Sequence, residues 1–194
     1  KINLYKNSEN IYTDISGKKI TIAETRQAIS ALINLEQEYI EPNLVRLGLM
    51  DLQFMSSNSW NNPWDAGAQF SHYCFFNNIS TKNFNHSSIL NKLNTYIKRD
   101  GWYNKCADKI NIQNGVMKVL TGLDLFPCHY DNGTLKILKH YSCYEEDNQE
   151  FNGCNVYDYI YILHRCINNN INASKLKLKL YDICNQIITH QNPD

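Results

Sequence analysis

No stretch of this 194-residue chain approaches the roughly 18 consecutive apolar residues a membrane span requires, so no transmembrane helix is predicted. An excess of either charge is also missing, with Lys plus Arg and Asp plus Glu both at 19. A balanced chain lacks the basic footprint that draws proteins to a phosphate backbone, which argues against a nucleic-acid partner. No Cys-x-x-Cys pair occurs among the 7 cysteines, and an odd number cannot be fully paired within one chain. Most of them fall in apolar helical patterns, where a free thiol behaves as a small hydrophobe, so a reducing cytoplasmic setting is expected. Four Asn-x-Ser/Thr triplets, at Asn78, Asn85, Asn132 and Asn172, point the other way. In a chain rich in Asn, Lys, Ile and Tyr, such triplets arise by composition alone. There is no Gly-rich phosphate loop, no Gly-x-Ser-x-Gly elbow and no Cys/His nucleophile arrangement. No period-2 run is bounded by hairpin turns, so strands are not predicted.

What the chain does contain is a pattern that returns four times. A polar opening precedes a mostly apolar, helix-length segment at 23–27, 63–69, 112–115 and 152–155. With Gln27, Gln69, Gly115 and Asn155 as equivalent points, the steps are 42, 46 and 40 residues. A near-constant step of this size predicts stacked supersecondary units.

Residues 1–20 read as an irregular or short extended lead-in with a turn at Ser16-Gly17. Residues 21–194 read as one helical-hairpin domain. Thr21 and Glu24 form a capping box for a helix over 21–37. Pro42 opens a second helix through Leu44–Met55. Further helices are predicted over 64–77, around 89–97, over 113–125, over 134–144, over 156–166 and over 174–190, with an acidic connection at 145–150. The first helix of each pair is the more apolar and the second the more charged. In the last helix, Lys175, Lys177 and Lys179 are expected to face outwards against Leu176, Leu178, Leu180, Ile183 and Ile187. The expected fold class is all-α, with about four antiparallel helix pairs in an inner and an outer layer.

Paired helices at this step, with Asp100-Gly101-Trp102 closing an outer helix, resemble the (α/α) toroid superfamily. His190-Gln191-Asn192-Pro193-Asp194 falls in the same register. That group includes protein prenyltransferase β subunits, squalene and terpene cyclases, glycan lyases and glycosidases. The resemblance implies a toroid-like arc. Closed rings of this type have six pairs, so the chain is expected to be a fragment or an arc completed by a second subunit. No Asp-x-Asp-Asp run supplies the protonating acid of the squalene-type cyclases. No His-x-x-x-His spacing offers a tetrahedral metal site. No metal and no cofactor are predicted, and no family catalytic residue carries over.

In such folds the inner-helix openings face a central cavity. The densest opening is Trp60 to His72, where two Trp rings offer flat faces to a sugar ring or an isoprenoid. Asp65 becomes a general acid or base there if burial raises its pKa. Trp60, Trp64, Gln69, His72, Asn114 and Asp158 are the expected substrate-binding residues. The structural alternatives are an N-cap carboxylate for Asp65, packing for Trp64 and a satisfied core histidine for His72. Asp158 and His164, six apart, do not share a helical face. Tyr157, Tyr159 and Tyr161 are expected to pack between layers. Lys118, if not simply solvated, contacts an anion or a sugar hydroxyl. Arg26 pairs with Glu24 or with an acidic ligand. The function these residues suggest is an enzyme domain holding a small-molecule or glycan substrate, or an isoprenoid, in an aromatic-lined cavity. The competing reading is a non-catalytic helical-repeat module that binds a protein partner.

Overall fold

The computed structural model of the chain describes residues 6–8, 10–13, 16, 22–43, 59–80, 87, 91, 93, 108–125 and 153–191. Five α-helices lie within them: α1 (Ile22–Asn34), α2 (Pro63–Ile79), α3 (Lys109–Leu123), α4 (Gly153–Asn168) and α5 (Ala173–Gln191). A 3-10 turn, Ser59–Asn61, leads into α2. No strand occurs among the described residues, only an isolated antiparallel bridge between Lys6 and Tyr12. The all-α expectation holds at this level. Several predicted features lie outside the described residues: Thr21 of the capping box, the helix after Pro42, Asp100 to Tyr103, the helix over 134–144 and the acidic connection. Of the predicted helix at 89–97 and its start, only Ser87, Asn91 and Leu93 are described, all helical.

Local chemistry sets the helix ends. Asn62 caps α2 by accepting from the Asp65 N–H at 3.3 Å, and Pro63 takes a first-turn position where its missing N–H costs nothing. Asp108 caps α3 by accepting from the Asn111 N–H at 2.8 Å. Helix α1 ends at Asn34, earlier than its periodicity predicts, because Glu36 turns left-handed at φ 54°. Gln37 N–H then reaches Leu32 O at 2.8 Å and Glu36 N–H reaches Ile33 O at 3.0 Å, which is a Schellman stop. The same stop closes α4, with Asn170 at φ 56°, Ile171 N–H on Cys166 O and Asn170 N–H on Ile167 O, both 3.0 Å.

The lead-in belongs to the packed body. Ile11 and Tyr12 are 0% and 3% exposed. Thr25 on α1, also buried, holds them: its hydroxyl accepts from Tyr12 N–H at 3.0 Å and donates to Tyr12 O at 3.3 Å.

Helices α2 and α3 approach until their backbones nearly touch. A Cβ built on Gly67 would lie 2.5 Å from Gly115 O, and one on Gly115 would lie 2.4 Å from Pro63 O. Further along, a Cβ on Gly122 would meet Ser71 Cα at 3.1 Å. Residue numbers rise together along this seam, so the two helices run parallel. Helix α4 continues the row in the same sense: Gln113 Nε2 donates to Asn155 O at 2.7 Å near the starts, and Arg165 pairs with Asp124 at 2.8 Å near the ends. Helix α5 folds back along α4. The core between them holds Trp60, Phe70, Phe76, Val119, Leu120, Tyr159, Ile162 and Leu163, each worth about 1.5–3 kcal/mol of burial.

Helix α5 departs from its predicted faces. Leu178 is 69% exposed, whereas Lys179 is half-buried with its ammonium 5.1 Å from the centre of the Tyr159 ring. A Lys-Leu-Lys-Leu alternation has period 2, and a helix of period 3.6 cannot place all its leucines on one side. Leu176 is the one that reaches the core.

Candidate functional site

The starts of α2, α3 and α4 are stitched side by side through amides. Trp64 N–H donates to Asn111 Oδ1 at 2.8 Å, and Asn114 Nδ2 lies 3.4 Å from Asn155 Oδ1. Further in lies a group of ionisable side chains, one per helix: Arg26 on α1, His72 on α2, Lys118 on α3 and Asp158 on α4. All four side chains are half-buried.

Arg26 opens the row. One of its Nη1 protons is donated to Ser71 Oγ at 2.8 Å, and Nη1 lies 3.4 Å from His72 Nδ1. Guanidinium can only donate, so Nδ1 accepts and the imidazole proton sits on Nε2. Burial, then the charges of Arg26 and Lys118, push the His72 pKa down to about 4, which keeps the ring neutral near pH 7. Beneath the guanidinium lies the Phe75 ring, 5.4 Å to its centre.

Lys118 is the hub. Its ammonium stands 3.9 Å from the centre of the Trp64 ring, and Asp158, Asp65 and Arg26 are all within electrostatic reach. Burial lowers its pKa, and the two carboxylates work against that shift. Across from it, burial raises the Asp158 carboxyl to about 6 despite the opposing pull of Lys118. A carboxyl held near neutrality can both donate and accept a proton at physiological pH.

The predicted residues divide. Asp65, Gln69 and His72 share one face of α2 at spacings of four and three. Asp65 is exposed in the first turn, within reach of Lys118. Gln69 is half-buried, and its Oε1 is buried with no hydrogen-bond partner among the described residues. Trp64 is 49% exposed and offers the ring that Lys118 covers, whereas Trp60 is 2% exposed and packs in the core. Asn114 belongs to the amide stitching, and Asp158 to the ionisable row. His164 is exposed, beside Asn168 at 3.3 Å and away from the row. Of the three tyrosines expected to pack, Tyr159 is buried, Tyr161 bonds Asp124, and Tyr157 is 63% exposed.

Arg26 turns towards α2 and forms no ion pair with Glu24. The row has a sequence signal that residue-type scanning misses. His72, Lys118 and Asp158 each stand three residues beyond Gln69, Gly115 and Asn155, the points that the sequence spacing treats as equivalent. A separate cleft of about 440 Å³ shares no residue with the row. It is lined by Lys6, Leu32 and 37–40, at the far end of α1.

Helix α5 carries an Asp-x-Cys triplet, Asp182-Ile183-Cys184, the spacing of the zinc pair in prenyltransferases. Both side chains are exposed, and no group of three or more His, Cys, Asp or Glu among the described residues gathers to hold a metal. The described cysteines 74, 154, 166 and 184 are all free thiols. No described helix is long and apolar enough to cross a membrane. Compared with family models, curated proteins and solved structures, the chain matches none.

Proposed function

We propose that the chain is an (α/α) toroid-type enzyme domain whose inner helices are α2, α3 and α4, and that it binds a carbohydrate over their shared row of ionisable groups. One observation carries this reading: half-buried Lys118 lies within electrostatic reach of half-buried His72, Asp158 and Arg26 on the neighbouring helices. Carbohydrate fits better than isoprenoid. The row is polar, and Trp60 is committed to packing.

Roles follow from burial. Asp158, held near neutrality, is the proton-transfer group. Exposed Asp65 is better suited to contact ligand at the rim than to the catalytic role its sequence position suggests. Lys118 stabilises negative charge beside Asp158, and Trp64 offers the outer part of its ring to a sugar face. A second subunit completing the arc belongs to the same proposal. The alternative, a module docking a protein partner, draws on the outer side of α5, where Leu178, Tyr181 and Ile188 are 69%, 65% and 58% exposed.

The test is a glycan-binding screen followed by a reducing-end release assay on the glycans that bind. Asp158→Asn is expected to retain binding and lose at least about 100-fold in turnover, as for loss of a general acid–base. Asp65→Asn is expected to change affinity more than rate. Full turnover by Asp158→Asn, or a chain that binds no glycan, rejects the reading.

A further inference from the structure

A half-buried guanidinium ordinarily has a carboxylate beside it, because removing an uncompensated charge from water is costly. Arg26 has none among the described residues. Its two hydrogen-bonding neighbours, Ser71 Oγ and His72 Nδ1, are both neutral, and both are served by Nη1 alone. The other three of its five N–H groups, one on Nε and two on Nη2, make no hydrogen bond among the described residues. Lys118, also half-buried, sits on an aromatic face and makes no ion pair within 4.0 Å among the described residues. The carboxylates that influence it, Asp158 and Asp65, do not reach Arg26. Both cations act on the neutral His72 ring, whose Nε2–H makes no hydrogen bond among the described residues.

We infer that the face formed by Arg26, His72 and Lys118 is a subsite for a singly charged oxyanion substituent on the ligand, either the carboxylate of a hexuronate or a sulfate ester of a sugar. The inference deepens the carbohydrate reading and rests on it. Three features select an oxyanion. Arg26 presents a planar fork suited to paired oxygens, Lys118 adds a point charge, and His72 supplies a donor without a third charge. The two cations are already partly offset by Asp158 and Asp65, so a singly charged substituent is better matched than a doubly charged phosphate monoester.

The experiment titrates the intact chain with glucuronate, glucose 6-sulfate, glucose and sodium methyl sulfate. Affinity is followed by calorimetry and the His72 ring by NMR. The charged sugars are expected to bind at least tenfold tighter than glucose and to raise the His72 pKa from about 4, because a bound anion offsets the cation beside the ring. Arg26→Gln is expected to abolish that tenfold preference, so that glucuronate and glucose 6-sulfate bind no tighter than glucose. Lys118→Gln is expected to reduce it in part. If Arg26→Gln does not fold, Arg26→Lys serves in its place, with a diminished preference expected. Equal affinity for glucose and glucuronate overturns the subsite and leaves the carbohydrate reading standing. Sodium methyl sulfate binding at His72 with no response to any sugar supports the oxyanion subsite and removes the carbohydrate reading. Silence at His72 towards all four probes overturns the inference.

Discussion

Replacing Gly115 with alanine is the sharpest probe of the seam on which the row depends. On an isolated helix the change would stabilise by about 1 kcal/mol, since alanine is the better helix former. Here the new Cβ would lie 2.4 Å from Pro63 O and 2.6 Å from Pro63 C, both backbone atoms that no rotamer can move. Reaching the ordinary 3.4 Å contact requires α2 and α3 to separate by about 1 Å. A gap of that size forfeits a quarter to a half of the attraction of each contact it opens, and Phe70, Val116, Val119 and Leu120 all pack nearby. Overpacking and lost contact together outweigh the propensity gain, leaving a net loss of about 3 kcal/mol. In a chain of this length that is a fall of roughly 6–12 °C in melting temperature. Gly153→Ala is the matched control, because no heavy atom lies within 4 Å of its Cβ position and the melt should hold or rise slightly. Thermal unfolding followed by circular dichroism decides the matter. A Gly115→Ala protein as stable as its parent would falsify the close parallel packing of α2 and α3.

Other expectations concern single sites. Asp158, at about 6 in the fold against an ordinary 3.8, keeps an extra proton between those values, so its stabilising contribution is full below 3.8 and lost as pH rises through 6. His72, at about 4 against 6.5, holds one fewer, so its contribution is full above 6.5 and lost as pH falls through 4. The two slopes oppose each other. Between pH 4.5 and 6 in urea melts, Asp158→Asn should therefore make stability rise more steeply with pH than in the parent, and His72→Gln should tilt it the opposite way. Variants that keep the parent's pH dependence would show that neither group is desolvated. Glu36→Gly should gain about 1 kcal/mol by relieving a left-handed residue at φ 54°, read as a higher denaturant midpoint. Thr25→Val, nearly the same shape, should lose about 1–3 kcal/mol and speed hydrogen exchange at the Tyr12 amide, which it leaves unpaired.

The sequence conveys helix positions better than helix faces. Periodicity places α2 to within a residue of its start, since Phe70, Tyr73, Cys74 and Phe76 repeat at helical spacing. The end of α1 is harder to foresee, because a glutamate takes the left-handed stop where glycine is the usual signal. On α5, alternation of Lys and Leu looks like two faces but is not two faces of a helix. At the site, residue type singles out Trp60, yet only packing decides that this ring is core. The partnership of Arg26 with Ser71 and His72 spans 45 and 46 residues, so no local pattern can reveal it. What is legible across that distance is the repeat step. It gives His72, Lys118 and Asp158 the same offset, three residues, from its equivalent points.

Laying α2, α3 and α4 parallel has an electrostatic consequence of its own. Each helix carries roughly half a positive charge at its amino end, so three abreast gather on the order of 1.5 charges at one pole and as much negative charge at the other. Like macrodipoles side by side repel, and a bundle of such helices is uneasy unless oppositely directed neighbours cancel the field. Helix α5 does this for α4, and the carboxylates of Asp65 and Asp108 soften the positive pole from within.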